Sequence, residues 1–277
     1  EAILKVHARG KPLADDVDLN SIARGTPGFS GADLENLLNE AALMAVSNGK
    51  RFITSYEIEE AIRKVQMGPE KKSKVMSDRA KKLTAYHEGG HAVVSEFLEH
   101  TDPVHYITII PRGPRGGATY FRPKEDLENF HSYSELFENI VVSLGGRVSE
   151  KLFLDDISTG ASGDIQQATA LARAMVTQYG MSDKFGLMTT ASVQNQYLDG
   201  QAYMDCSQET AAQVDKEVQK LLDAAFADSK RILTENRQLL DEISEFLLVK
   251  ETITGDELMA YVNADRNALP AAEKTEE

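Results

Sequence analysis

The sequence predicts a mainly α-helical protein with a small β-sheet, divided into two domains. Its 277 residues, 42% of them hydrophobic, can fill one large core or two smaller ones. Residues 1–66 carry helical patterns and no strand pattern, whereas helical and short strand patterns both occur after residue 77. Between them, residues 67–77 combine Gly, Pro and a basic cluster, which is typical of a linker. We therefore expect a helical domain over 1–66, a linker over 67–77, a second domain over 78–265 and a flexible tail over 266–277.

The first domain is predicted from helix caps and apolar stripes. Ser30 and Asp33 form a capping-box pattern at the start of a helix whose apolar residues recur every three to four positions. Thr54 caps a further helix over 56–65. Four short helices without a strand are typical of a cap or lid, and we do not expect them to form an enzyme alone.

The second domain is predicted to be mostly helical around two short strands. Apolar periodicity and turn residues predict, in chain order, a helix over 78–100, strands at 105–111 and 118–121, a helix over 134–154, a helix from 162 that stops at 180, a long helical stretch over 208–249 broken near Asn236, and a short helix that Thr254 caps.

Charge and cysteine content exclude several classes of protein. The formal net charge is −14, and so acidic a surface would repel the phosphates of nucleic acid. The single Cys206 excludes a disulfide framework and any cysteine-ligated zinc site, and it fits a reducing compartment. No apolar run approaches the roughly 18 residues of a membrane span, and no signal peptide opens the chain. These observations predict a soluble, intracellular chain without a nucleic-acid partner.

The helix over 78–100 contains a His-Glu-x-x-His motif at residues 87–91. His87 and His91 lie one helical turn apart, so both imidazoles can reach one cation, and Glu88 is placed to take a proton from an activated water. The alternative is a helix with two solvated or packed histidines. Gly89 and Gly90 argue against it, because each costs about 1 kcal/mol in a helix and is explained best by close approach of another element. The motif therefore predicts a zinc hydrolase.

A third protein ligand is needed, and the residues leave two carboxylates open. His100 and His105 follow the motif too closely to be assigned, and Phe97 occupies the position of the third histidine in another zinc-peptidase pattern. Asp164 lies in the first turn of a predicted helix behind a glycine-containing loop, and Glu150 lies on the helix over 134–154. Because a metal site demands rigid ligands, the residues favour Asp164 and keep Glu150 as the alternative.

Longer segments of the chain carry a further signal. They are TAYHEGGHAVV, DPVHYITIIPRG, STGASGDIQQAT and LARAMVTQYGMSDKFG in the second domain, and ILKVHARGKPLADDVDL and ARGTPGFSGADLENLLNEAAL in the first. Together they resemble the FtsH family, whose members are membrane-anchored, ATP-dependent AAA+ zinc proteases. The resemblance implies His87, His91 and Asp164 as zinc ligands and Glu88 as the catalytic base. The family usually has Ala where this chain has Gly89, for which we expect weaker local helicity without loss of activity.

The same resemblance identifies the first domain as the helical lid of an AAA+ ATPase and the second as a mostly helical zinc peptidase domain. It implies that His7, Gly31 and Ala32 border the adenine and ribose of ATP or ADP. No Gly-x-x-x-x-Gly-Lys-Ser/Thr motif occurs, since Lys50 lacks the upstream glycine and the following hydroxyl residue. We therefore expect a fragment, lid plus peptidase, that does not hydrolyse ATP alone.

Residues 117–120 form a candidate substrate-binding strand. An extended polypeptide could add to the strand that contains Gly117, Ala118, Thr119 and Tyr120 through main-chain hydrogen bonds, and the resemblance implies the same role. The alternative is an ordinary hairpin strand.

The function expected is hydrolysis of peptide bonds in unfolded or damaged proteins, coupled in a longer protein to ATP-driven unfolding and translocation. The resemblance also implies a homohexamer, attached through segments absent from this chain to the cytoplasmic face of the inner or plasma membrane. Two alternatives are a catalytically silent assembly or interaction module and a free-standing nucleotide sensor. The intact motif argues against the first, and the missing phosphate-binding loop argues against the second.

Overall fold

A computed structural model describes residues 1–70, 76–112, 116–122, 130–154, 156–193 and 202–264. The chain divides into two compact units, one formed by Glu1–Met76 with Ile110–Gly117 and the other by Ser77–Ile109 with Ala118–Glu277. Helices dominate the described residues and the sheets are small, which confirms the predicted class. The predicted tail over 266–277 and residues 71–75 of the predicted linker lie outside the described residues.

The part of the first unit that the structure describes has four helices around an apolar core. Ser30 and Asp33 form the predicted capping box, in which the Asp33 carboxylate accepts from the Ser30 N–H at 2.9 Å. Leu37, Leu38 and Ala41 are fully buried in the core. The helices are α1 (Ala2–His7), α2 (Leu19–Arg24), α3 (Gly31–Ser47) and α4 (Ser55–Met67).

Residues 110–117, which the sequence assigned to the second domain, group with the first unit. The buried Arg112 is the reason: its guanidinium donates to Glu60 Oε2 at 2.8 Å, and its backbone forms an antiparallel bridge with Glu70. An ion pair between residues 52 positions apart leaves no local trace in the sequence.

The described residues of the second unit form six α-helices and two small antiparallel sheets. The predicted break near Asn236 is confirmed, because that residue separates two helices. No helix of the described residues is long and apolar enough to cross a membrane. The elements are α5 (Asp78–Glu96), β1 (Val104–Thr108), β2 (Ala118–Phe121), α6 (Tyr133–Phe153), a short 3-10 turn (Thr159–Ala161), α7 (Ser162–Thr177), β3 (Ala191–Val193), β4 (Ala202–Met204), α8 (Gln208–Glu235), α9 (Arg237–Lys250), β5 (Thr252–Thr254) and α10 (Gly255–Val262).

The two sheets are β2-β1-β5 and β3-β4. The sequence predicted β1 and β2 and missed β3, β4 and β5, which have three residues each and are too short for an alternating pattern to show. In the larger sheet β1 is central, and β2 pairs with β1 alone among the described strands.

Helix α5 packs against α6 and α9 through its two glycines. A Cβ on Gly90 would lie 2.6 Å from the carbonyl oxygen of Gly145 on α6, so the two helix backbones touch. The close approach predicted from the glycine pair is thereby confirmed for Gly90. Gly89 faces α9 instead, where a Cβ would lie 3.0 Å from Cδ1 of Leu240. The contact with α6 buries the face of α5 that carries the two histidines.

Candidate metal centre

Three side chains from two helices meet in the second unit. His87 and His91 lie one turn apart on α5, both buried, with their Nε2 atoms 3.2 Å apart. Asp164, in the first turn of α7, places Oδ2 3.2 Å from His87 Nε2 and 3.8 Å from His91 Nε2. Within the described residues this is the one group of three or more His, Cys, Asp or Glu side chains able to hold a metal ion.

The spacing of these donor atoms fits zinc. Four ligands about 2.0–2.1 Å from a tetrahedral zinc ion lie roughly 3.3–3.4 Å from one another. The observed separations of 3.2, 3.2 and 3.8 Å bracket that value. Two neutral imidazoles and one carboxylate are also a ligand set that zinc accepts, and three protein ligands leave one coordination position open. The residues present therefore fit a catalytic zinc ion.

Hydrogen bonds from α6 fix the orientation of both rings. The Nδ1–H of His91 donates to the carbonyl oxygen of Val142 at 2.8 Å, and a carbonyl can only accept. The Nδ1–H of His87 donates to Glu150 Oε1, also at 2.8 Å. Both Nε2 atoms consequently point toward Asp164. A second partner on the far nitrogen is what orients histidine ligands at metal sites.

Glu150, the alternative third ligand, does not join the cluster and instead supports it. Its side chain is fully buried and also accepts hydrogen bonds from the N–H and hydroxyl of Ser158, at 2.8 and 2.9 Å. Ser158 is the N-cap of the 3-10 turn that leads into α7, so Glu150 links His87 to the loop that positions Asp164. Gly146 lies one turn before Glu150 on α6, and a Cβ at this position would lie 2.5 Å from the His87 ring. This glycine is the sequence feature that could have indicated a close contact between α6 and His87.

The electrostatics of the cluster favour a cation. Burial lowers the pKa of His87, yet the contacts with Asp164 and Glu150 outweigh it and raise that pKa to about 10. Burial and the neighbouring His87 lower the pKa of His91 to about 4. Burial raises the pKa values of Asp164 and Glu150, but hydrogen bonds and charge interactions, those with His87 foremost, together outweigh it and lower both. Near neutral pH these pKa values leave His87 charged and His91 neutral beside two ionised carboxylates, and ligation of a metal ion would require His87 to give up its Nε2 proton.

Glu88 lies beside the strand that the sequence proposed for substrate. Its carboxylate accepts from the Thr119 hydroxyl at 2.9 Å, and Thr119 belongs to β2, which is an outer strand of the larger sheet among the described strands. Tyr120, on the same strand, stacks on Tyr106 of β1 with ring centroids 4.8 Å apart. Ala118 is buried at the start of β2, and Gly117 precedes its first residue. The structure thus brings the motif glutamate and the candidate strand together.

The residues assigned to nucleotide lie in the first unit. His7 is the half-buried last residue of α1, Gly31 is the first residue of α3, and Ala32 is exposed. Helix α1 packs beside the start of α3, since a Cβ on Gly31 would lie 3.9 Å from Ile3 Cγ2.

The site is that of a metal protein of the His-Glu-x-x-His class. It has two buried histidines one turn apart on one helix, the motif glutamate between them and a carboxylate from a second helix. Residues 74–261 match the model of peptidase family M41, and residues 16–60 match that of the AAA+ lid domain. The chain belongs to peptidase family M41. The resemblance stated from the sequence is thereby confirmed.

Relatives of known name support this membership. The chain is 52% identical to the ATP-dependent zinc metalloprotease FtsH of Veillonella parvula, with 91% of this chain and 40% of that protein aligned. It is 50% identical to the FtsH of Caldicellulosiruptor bescii over 96% of this chain and 43% of that protein. The FtsH of Thermus thermophilus is 48% identical over 95% of this chain and 42% of that protein. The chain thus spans about two fifths of the length of these relatives.

Proposed function

We propose that this chain is a zinc-dependent endopeptidase that hydrolyses peptide bonds of unfolded or damaged proteins. The observation that carries the proposal is the spacing of the donor atoms of His87, His91 and Asp164, which matches tetrahedral zinc. The proposal is supported by membership of peptidase family M41 and by relatives named as zinc metalloproteases.

In the proposed mechanism His87, His91 and Asp164 hold the zinc ion and Glu88 moves the proton. The ion, when bound, lowers the pKa of a water molecule and polarises the scissile carbonyl. Glu88 takes the proton of the attacking water and later delivers it to the departing amine, so one carboxylate acts as base and then as acid. Glu150 and the carbonyl of Val142 keep the two imidazoles in the orientation that ligation needs.

The substrate is proposed to bind as an added strand beside β2. Gly117, Ala118, Thr119 and Tyr120 would offer main-chain donors and acceptors to an extended polypeptide. Recognition through the main chain suits a protease with loose sequence preference. Support comes from the outer place of β2 in its sheet and from its contact with Glu88.

In the longer protein we propose that ATP-driven unfolding and translocation feed this site. The lid-domain match supports a nucleotide role for the first unit, with His7, Gly31 and Ala32 bordering adenine and ribose. The names of the relatives, which call them ATP-dependent, support the same coupling. We further propose a homohexamer, anchored at the cytoplasmic face of the inner or plasma membrane by segments outside this chain.

Hydrolysis of an unstructured protein tests the proposal against a catalytically silent module. We expect the zinc-loaded chain to cleave fluorescently labelled casein, and Glu88→Gln to lose about a hundredfold or more in rate while it keeps zinc. Glu245→Gln, which changes an exposed glutamate of α9, is the matched control and should retain the parent rate. A folded, zinc-loaded parent no faster than Glu88→Gln would instead establish the silent module.

A further inference from the structure

Three neighbouring residues, one on each strand of the larger sheet, form a row in which two side chains are apolar and one is polar. The register pairs Ile253 of β5 with Ile107 of β1, and Ile107 with Thr119 of β2, so the three side chains share one face of the sheet. Ile107 and Ile253 are fully buried in the core, and α5 packs against β1 and β2. A third apolar residue would fit the pattern of this row, yet position 119 carries a hydroxyl.

The hydroxyl of Thr119 makes its contact with Glu88. Its Oγ1 lies 2.9 Å from Glu88 Oε2 and 2.9 Å from the Glu88 carbonyl oxygen. Both oxygens accept, so the hydroxyl is the donor; its single proton is shared between them, and the contact holds the carboxylate beside the strand. A glutamate has three rotatable side-chain bonds, and a hydrogen bond from a sheet residue removes part of that freedom.

We propose that Thr119 is a positioning residue for Glu88, holding the carboxylate in the orientation from which it exchanges protons. The inference rests on the proposed peptidase function and deepens it. Thr119 also belongs to the strand beside which the substrate is proposed to lie. Thr119 therefore links the strand proposed to bind the substrate main chain to the group that moves the proton.

Thr119→Val and Thr119→Ser separate positioning from packing. Valine keeps the branched shape of threonine and continues the apolar row of Ile107 and Ile253, so the fold should persist, whereas serine keeps the hydroxyl. With a short fluorogenic peptide we expect Thr119→Val to lower kcat about ten- to hundredfold, the range for loss of a hydrogen bond to an ionised group, with KM unchanged within about twofold. Thr119→Ser should recover most of the parent kcat.

Two further readouts complete the experiment. Zinc content should equal that of the parent in every variant, and crystal structures should show the Glu88 carboxylate at β2 in the parent and displaced in Thr119→Val. Thr234→Val is the control, because it removes an exposed hydroxyl, bonded to the Lys230 carbonyl, from α8.

Three results would overturn the inference: a parent-like kcat in Thr119→Val, an unmoved carboxylate in its structure, or failure of Thr119→Ser to recover activity. A parent that binds zinc but cleaves nothing would refute the proposed function instead. In that case the position of Glu88 in the two crystal structures still decides whether Thr119 holds it.

Discussion

Glu150→Gln removes the charge behind the first histidine at almost constant volume. Oε1 of Glu150 accepts from His87 Nδ1 and the Ser158 hydroxyl, and Oε2 accepts from the Ser158 N–H. Glutamine offers one acceptor oxygen and one NH2 group. Its nitrogen must therefore face either His87 Nδ1–H or the Ser158 N–H, so a donor meets a donor in a fully buried place.

We expect Glu150→Gln to weaken the affinity of the site for zinc. Changes in groups that hydrogen-bond to metal ligands cost about 10- to 100-fold in affinity, which corresponds to roughly 1.4–2.7 kcal/mol. Because both the charge and one hydrogen bond are lost here, we expect the upper half of that range. The assay is competition for zinc with a chromophoric chelator at pH 7.5, with circular dichroism to establish that the variant is folded.

Glu138→Gln is the matched control. Glu138 lies on the same helix, α6, and accepts from His100 Nδ1 at 2.8 Å, the same distance as in the buried pair. Its histidine partner is exposed and lies outside the one metal-ligand group found among the described residues, so zinc affinity should stay at the parent value. Equal zinc affinity for Glu150→Gln and Glu138→Gln, with both folded, would refute the assigned role of Glu150.

Two other predictions concern stability. Gly90→Ala should lower the free energy of unfolding by more than about 3 kcal/mol, because the new Cβ would meet the backbone of α6. In Gly89→Ala the new Cβ would meet a movable methyl group, so the change in the free energy of unfolding should stay within about 1 kcal/mol. Urea titrations measure both values, and similar values for the two variants would contradict the close helix contact at Gly90. Burial opposes ionisation of Glu57, but hydrogen bonds from Lys50 and Thr54 outweigh it and lower its pKa to about 2. Because the pKa of Glu57 is lower in the folded than in the unfolded chain, its ionised form stabilises the fold at pH values above the unfolded-state pKa near 4.5. The free energy of unfolding of the first unit should therefore fall as the pH drops from about 4.5 toward 2, and Glu57→Gln should flatten that dependence.

The parts of the structure that the sequence predicted depend on contacts within one helical turn or one cap. His87 and His91 share a face because they lie four residues apart on a helix, and the Ser30 capping box needs three residues. Such features arise from helical geometry alone, which is why the starts of α3 and α5 followed from the residues, whereas α5 ends at Glu96 and not at the predicted residue 100.

The parts that the sequence left open depend on contacts between distant positions. Asp164 lies 77 residues from His87 in the sequence, and Glu150 lies 63 residues from it. The residue types identified both carboxylates as candidates, but they could not show which one contacts Nε2 of His87. The packing of α6 and α7 around α5 places Asp164 at Nε2 of His87, as the proposed ligand, and Glu150 at Nδ1 of the same ring. The contact between Thr119 and Glu88, across 31 residues, leaves no local sequence pattern for the same reason.

His87, His91 and Asp164 are proposed to hold one zinc ion. Zinc per chain, measured by elemental analysis after dialysis against a weak chelator, tests this proposal in the parent, Glu88→Gln and Asp164→Asn. We predict about one zinc per chain in the parent and in Glu88→Gln, and strongly reduced zinc in Asp164→Asn. Equal zinc in Asp164→Asn and the parent, or none in a folded parent, would contradict the assignment.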